Sequence, residues 1–186
     1  MARPLDLDKR RELLRGALDY IATHGLADLS LRPLATALGT SSRMLVHYFG
    51  TKEELLVQAL ELQHPDMKRR FDQVKDAEEI RYALGKLWNS MTTGEDTVST
   101  RVLLQVMAMA FTRPEPFARF ANAAFDTIST ALRDALVRAG SESPEALVDA
   151  TIAAATFRGL LLDRLVTGDV ERVDNAAHAF IRSVAR

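Results

Sequence analysis

Apolar side chains recur every three or four residues along almost the whole chain, and nowhere does a strict one-in-two alternation persist. The clearest stretch reads Phe117, Phe120, Ala121, Ala124, Phe125, Ile128, Leu132, Ala135, Leu136. Such a period lays one apolar stripe along a helix, and helical stripes find cover against one another, so the pattern predicts an all-α protein. Of the 186 residues 47% are hydrophobic, enough to form a core without metal or disulfide support. Cysteine is absent, which excludes disulfides, thiolate zinc sites and cysteine nucleophiles and fits a reducing compartment. The charged first fourteen residues do not suit a signal peptide, and Arg or Asp interrupts each apolar stretch too often for a bilayer span. The expected location is the cytoplasm, with no membrane partner.

Local signals divide this text into about nine helices. Leu13, Leu14, Ala17, Leu18 and Ile21 mark a first helix over 7–24, stopped at Gly25, with Lys9, Arg10, Arg11 and Arg15 on its polar face. Ser30 caps a short helix over 31–38, where Pro33 falls in the first turn and Gly39 ends it by supplying positive φ. Ser41 or Thr40 caps a third helix through about residue 48. Thr51-Lys52-Glu53-Glu54 reads as a capping box that opens a fourth. His64-Pro65 breaks or kinks that helix, since the residue before proline avoids the α region, and divides a domain over 1–63 from one over 64–186. Beyond it, helices are expected over 78–91 and 98–111. A long one runs from Pro114 and Pro116 to Gly140, another from Ser143-Pro144 to Gly168, and a last over 173–185.

The formal net charge is only −1, but it is unevenly placed: residues 1–52 carry a net +3 and the remainder −4. The basic end coincides with two short helices joined by a glycine turn, the layout of a helix-turn-helix. Leu34, Ala35, Leu38, Leu45 and Phe49 form its small core, and Ala35 is small where the helices meet. The second helix then offers Ser41, Ser42, Arg43 and His47 on polar positions. Short hydroxyl residues permit close approach to a groove, and an arginine bonds guanine O6 and N7 together. Lys52 opens the fourth helix, where both its amide and its ammonium suit a phosphate.

Gly25, then Leu29-Ser30-Leu31-Arg32-x-Leu34-Ala35-x-x-Leu38-Gly39-x-Ser41, then Leu45-Val46-His47-Tyr48-Phe49-x-x-Lys52-Glu53-x-Leu55 resembles the TetR family of bacterial transcription regulators over roughly the first 60 residues. The resemblance implies an N-terminal three-helix DNA-binding domain followed by a C-terminal helical ligand-binding and dimerisation bundle. It places Arg32 at a base- or phosphate-contacting position and Ser42, Arg43 and Met44 on the groove-facing side of the recognition helix. Val46 departs from the family's usual tyrosine, so Tyr48, helped by His47, is expected to meet the backbone instead. Lys52 matches the family's phosphate-contacting lysine.

For the C-terminal bundle the resemblance implies a cavity for a small, largely apolar effector. Trp88, Met91, Met107, Phe111, Phe125 and Phe157 are candidates to line it, although any one of them also suits an ordinary core. The stretch 152–166 is apolar around most of its circumference, so it belongs deep in a core or in an interface. The resemblance implies a homodimer interface drawn from Ala154, Arg158, Leu161 and Leu165 with Ala177, Phe180, Ile181 and Val184. The implied function is a repressor that holds a palindromic operator in double-stranded DNA and is released by its effector. A protein-docking bundle or an activator role are the alternatives. The four histidines lack metal-ligand spacing, Gly85-Lys86 lacks the upstream glycine of a phosphate loop, and no serine sits in a nucleophile elbow, so neither an enzyme nor a cofactor is expected.

Overall fold

The computed structural model describes residues 6–26, 29–62 and 66–184, the side chain of Pro116 apart. They form α1 (Leu7–His24), α2 (Leu31–Ala37), α3 (Ser42–Phe49), α4 (Lys52–Leu62), α5 (Met67–Phe71), α6 (Ala77–Thr92), α7 (Thr97–Thr112), α8 (Pro114–Arg138), α9 (Ser143–Thr167) and α10 (Val170–Ser183). No strand occurs among the described residues, and no helix there is long and apolar enough to cross a membrane.

Most boundaries follow from their caps. Asp6 accepts the Asp8 and Lys9 amides to start α1, and Gly25 ends it at φ 81°. Ser41 Oγ accepts the Met44 amide at 3.2 Å and starts α3. The capping box at α4 closes in full: Thr51 N–H and Oγ donate to the Glu54 carboxylate at 2.7 and 3.0 Å, and the Glu54 amide donates to Thr51 Oγ at 3.1 Å. Ser30 occupies the N-cap of α2 without a side-chain hydrogen bond. In α8 Glu115 is extended (φ −89°, ψ 129°), because the proline after it excludes the α region, so the regular helix begins one residue later. Helix α10 starts three residues ahead of expectation, where Asp169 accepts the Arg172 amide. The five-residue α5 has no counterpart among the expected helices. The break expected at His64-Pro65 lies outside the described residues, and the last helix ends at Ser183, short of the expected 185, with Val184 extended.

The chain divides into two compact units, one of residues within 1–64 and 98–121, the other of residues within 65–97 and 122–186. A single cut after residue 63 does not describe this division, because Val98–Ala121 packs with the N-terminal helices. In the first unit, Val102 and Val106 of α7 and Phe117 and Phe120 of α8 share one buried cluster with Leu14, Leu18 and Ile21 of α1, Leu34 of α2, Leu45 of α3 and Leu55 of α4. The Gln105 side chain of α7 also accepts the Leu26 amide at 2.8 Å, tying α7 to the chain leaving α1.

In the second unit α6 packs on α5 and α10, and α10 on α9. Buried Trp88 meets Phe157 edge-on at 5.4 Å between ring centroids, and Phe157 meets Phe180 at 6.2 Å. A buried indole N–H needs an acceptor. Trp88 Nε1 donates to Asp174 at 3.1 Å, and Arg164 Nε donates to the same carboxylate at 2.9 Å. Arg70 of α5 and Ser90 of α6 both donate to buried Asp96, at 2.7 and 2.6 Å, so the turn before α7 is fixed by a charge-assisted pair.

Candidate nucleic-acid interface

Helix α3 is short, and its two buried residues, Leu45 and Phe49, lie one turn apart on a single face. The other residues of the helix are exposed or half-buried. Arg43 and His47 are exposed, Met44 is 40% and Val46 50% exposed, and Ser42 is half-buried. The N-terminus of α3 therefore offers a hydroxyl, a guanidinium and a thioether to solvent. Ser41 Oγ already accepts the Met44 amide, so its own hydrogen remains for an outside acceptor. Arg32 is exposed in the first turn of α2. Tyr48 is half-buried, its ring edge-on to His47 at 5.7 Å and tilted against Phe49 at 5.8 Å, so it is positioned by packing on both sides.

Lys52 differs from the sequence expectation of a side chain held ready for phosphate. Its Nζ donates to the Leu29 carbonyl at 3.0 Å, with Glu53 at 3.9 Å, and the side chain is only 27% exposed. An ammonium has three donors, so two remain for a phosphate while one staples α4 to the segment before α2. The Glu54 carboxylate takes the Thr51 amide at the start of α4, and these bonds hold its pKa below the usual glutamate range. The capping box thus takes the Thr51 and Glu54 amides and sets a carboxylate at the helix start, beside which the Lys52 ammonium is the cationic group.

Two supports of this surface gave no sign in the sequence. Arg10 of α1 places its guanidinium 5.6 Å from the Phe49 ring centroid and hydrogen-bonds Gln58 of α4. Gln58 in turn donates to the Phe49 carbonyl at 3.4 Å, so α1 and α4 both hold the end of α3. The place of Arg10 on the polar face of α1 gives no hint of these contacts, since neither partner is near it along the chain. Gly16 is the other case. A β-carbon there would meet Leu38 Cδ2 at 2.5 Å, so this glycine lets α2 approach α1.

The six residues expected to line a cavity are divided between the two units. Trp88 and Phe157 are buried against each other, and Met91 is half-buried in the same unit. Met107 and Phe111 belong to the first unit, where Phe111 is 87% exposed. Phe125 is 37% exposed beneath Arg158.

The residues expected between subunits also separate. Ala154, Leu161, Ala177, Ile181 and Val184 are buried within the single chain, and Arg158 and Phe180 are half-buried. Only Leu165 is exposed. The physical reason is that α9 is apolar on two opposite faces, and Ala154 and Leu161 lie on the inner one. The outer face carries Val148, Ile152, Ala155, Gly159, Leu162 and Val166, all exposed and spaced alternately by four and three.

The chain is similar to known regulators in both sequence and fold. Residues 13–59 match the pattern described as bacterial regulatory proteins, tetR family. A stretch of 52 residues is 38% identical to the HTH-type transcriptional regulator BetI 1 of Chromohalobacter salexigens; it makes up 28% of this chain and spans about a quarter of that relative, 26% of its length. The TetR transcriptional regulator of Legionella pneumophila superposes with a TM-score of 0.79 over 100% of both chains at 18% identity. A transcriptional regulator of Saccharomonospora viridis, solved in complex with choline, does so with a TM-score of 0.75 over 96% of this chain and 98% of its own, at 24% identity. Residues 13–59 thus carry the pattern of the tetR family of bacterial regulatory proteins, and over its whole length the chain shares its fold with the L. pneumophila regulator.

Proposed function

We propose that the protein is a cytoplasmic repressor that holds a palindromic operator as a homodimer and lets go when a small organic effector binds. The observation that carries this reading is α3 itself, which buries Leu45 and Phe49 and leaves Arg43, Met44 and His47 exposed, with Arg32 exposed on α2. A helix so mounted fits a major groove with its N-terminal residues at the base edges. Arg43 supplies bidentate bonding to guanine, while Lys52, Tyr48 and the Ser41 hydroxyl supply contacts to phosphates that fix position rather than sequence.

The second copy is assigned to the outer face of α9. An exposed apolar stripe of alternating four and three spacing is the seam on which helices pair. Ala155 and Gly159 sit at its middle, where small side chains let two helix backbones approach. A palindromic site needs two recognition helices about 34–36 Å apart, which a symmetric pair provides. The S. viridis protein bound to choline supports the small-molecule part of the reading, since a chain of this fold takes an organic ligand. If effector and operator favour different separations of the two heads, each weakens the other by the same factor, typically about 1–3 kcal/mol. Selection of bound duplexes from a random DNA pool tests the reading. A two-fold-symmetric consensus is expected, and a pool that stays random after repeated rounds would reject it.

A further inference from the structure

Arg158 lies on α9 between its buried and its bare apolar faces, with its guanidinium carbon 4.2 Å from the centroid of the Phe125 ring of α8. It is half-buried, and burial alone lowers its pKa from the ordinary arginine value, with no counter-charge acting the other way. Among the described residues, every other half-buried arginine gives an N–H to an oxygen: Arg10 to Gln58, Arg70 to Asp96, Arg81 to the Val184 carbonyl, Arg133 to Asp134 and Arg164 to Asp174. Arg158 gives none. Its nitrogens are not sealed either, because among the described residues no fully buried side-chain nitrogen or oxygen lacks a partner.

A guanidinium partly stripped of water, seated against an aromatic ring and left with five open donors, has the chemistry that takes a carboxylate through two parallel hydrogen bonds. Its surroundings are apolar. Phe125 is partly exposed beneath it, and Leu165, outside the stripe assigned to the second copy, follows two turns along on the same side of α9, also exposed. We propose that Arg158 and Phe125 form the recognition point for a carboxylate on an apolar body, and that the effector is such an acid. The effector role rests on the regulator reading above; the binding does not.

The carboxylate has two conceivable sources, a dissolved acid or an Asp or Glu of a second copy. Placement favours the dissolved acid. Arg158 lies about a quarter turn away from the line Ile152, Ala155, Gly159, toward Phe125 of its own chain rather than along the seam.

The test is calorimetric titration of the whole protein with octanoate and with 1-octanol, which shares the chain but not the charge. Octanoate is expected to bind, at least tenfold more weakly to Arg158→Met, with part of the loss recovered in Arg158→Lys. Octanol is expected to bind wild type and Arg158→Met alike. Circular dichroism melts confirm that both variants fold. The proposal is overturned if octanoate fails to bind wild type or binds Arg158→Met equally well. It is also overturned if Arg158→Met raises the dimer dissociation constant tenfold while octanoate affinity stays unchanged, since the carboxylate then belongs to a second copy. Octanoate binding that depends on Arg158 supports the site whether or not duplex selection yields an operator.

Discussion

Lys52 joins two elements of the fold and keeps donors that suit a phosphate. Its hydrogen bond to the Leu29 carbonyl holds the entry to α2 against the start of α4 and leaves two of its three donors unused. Lys52→Ala should therefore lower affinity for all duplexes to a similar degree and reduce the slope of log affinity against log salt by about one. It should also cost stability, by about 1 kcal/mol for a partly exposed charged hydrogen bond, measurable by urea denaturation. A variant that weakened only one DNA sequence would contradict the phosphate role. Glu54 gives a pH signature. Its folded pKa lies below its unfolded one, so the cap stabilises fully above the ordinary glutamate range and is lost as pH falls through the lowered folded value. Glu54→Gln should therefore flatten the acid limb of the stability curve, and an unchanged limb would show that the cap contributes nothing to it. Contacts legible in the sequence are those within four residues, such as Ser41 to Met44 and Thr51 to Glu54. Arg10 to Gln58, Leu26 to Gln105 and Trp88 to Asp174 join residues 48, 79 and 86 positions apart, and no local pattern encodes such pairings.

Among the elements, α9 most rewards comparison of sequence with structure. Periodicity alone identifies an apolar helix but not which side meets its own chain, and so the buried Ala154 and Leu161 were expected at an interface that the outward Val148, Ile152 and Val166 suit better. Gly159 sharpens the point. A β-carbon there meets nothing within 4 Å in the single chain, so no intramolecular contact requires glycine. A mid-helix glycine costs roughly 0.5–1 kcal/mol relative to alanine. If a second copy crosses here, Gly159→Ala should stabilise the isolated protomer by about that amount, yet raise the dimer dissociation constant in sedimentation experiments. An unchanged dissociation constant would place the seam elsewhere. Helix α5 escaped the sequence reading for a different reason. Five residues are too few to display a helical period, and the Asp66 cap that starts it follows directly on residues read as a break.

At the scale of the whole molecule, the first unit is built from two distant parts of the chain. Val102, Val106, Phe117 and Phe120 complete the core that also holds Leu34 and Leu45, so the elements presenting α3 depend on residues far beyond the first 63. The Gln105 bond to the Leu26 amide adds a polar tie to the same assembly. A hydrophobic run does not declare which core it will join, and that is why α7 was assigned by its position in the sequence rather than by its packing. The family pattern over residues 13–59 was visible in the residues themselves, because glycine turns, caps and the Leu45–Phe49 spacing are short-range features. The measurement that bears most directly on α3 as the reading helix is a hydroxyl-radical footprint on a selected duplex, made with wild type and with Arg43→Ala. The account predicts two protected segments on one face of the DNA, about 10–10.5 base pairs or a multiple apart, with Arg43→Ala losing about 1–3 kcal/mol of discrimination at one base pair in each half. A single protected patch, or base preference unchanged by Arg43→Ala, would contradict it.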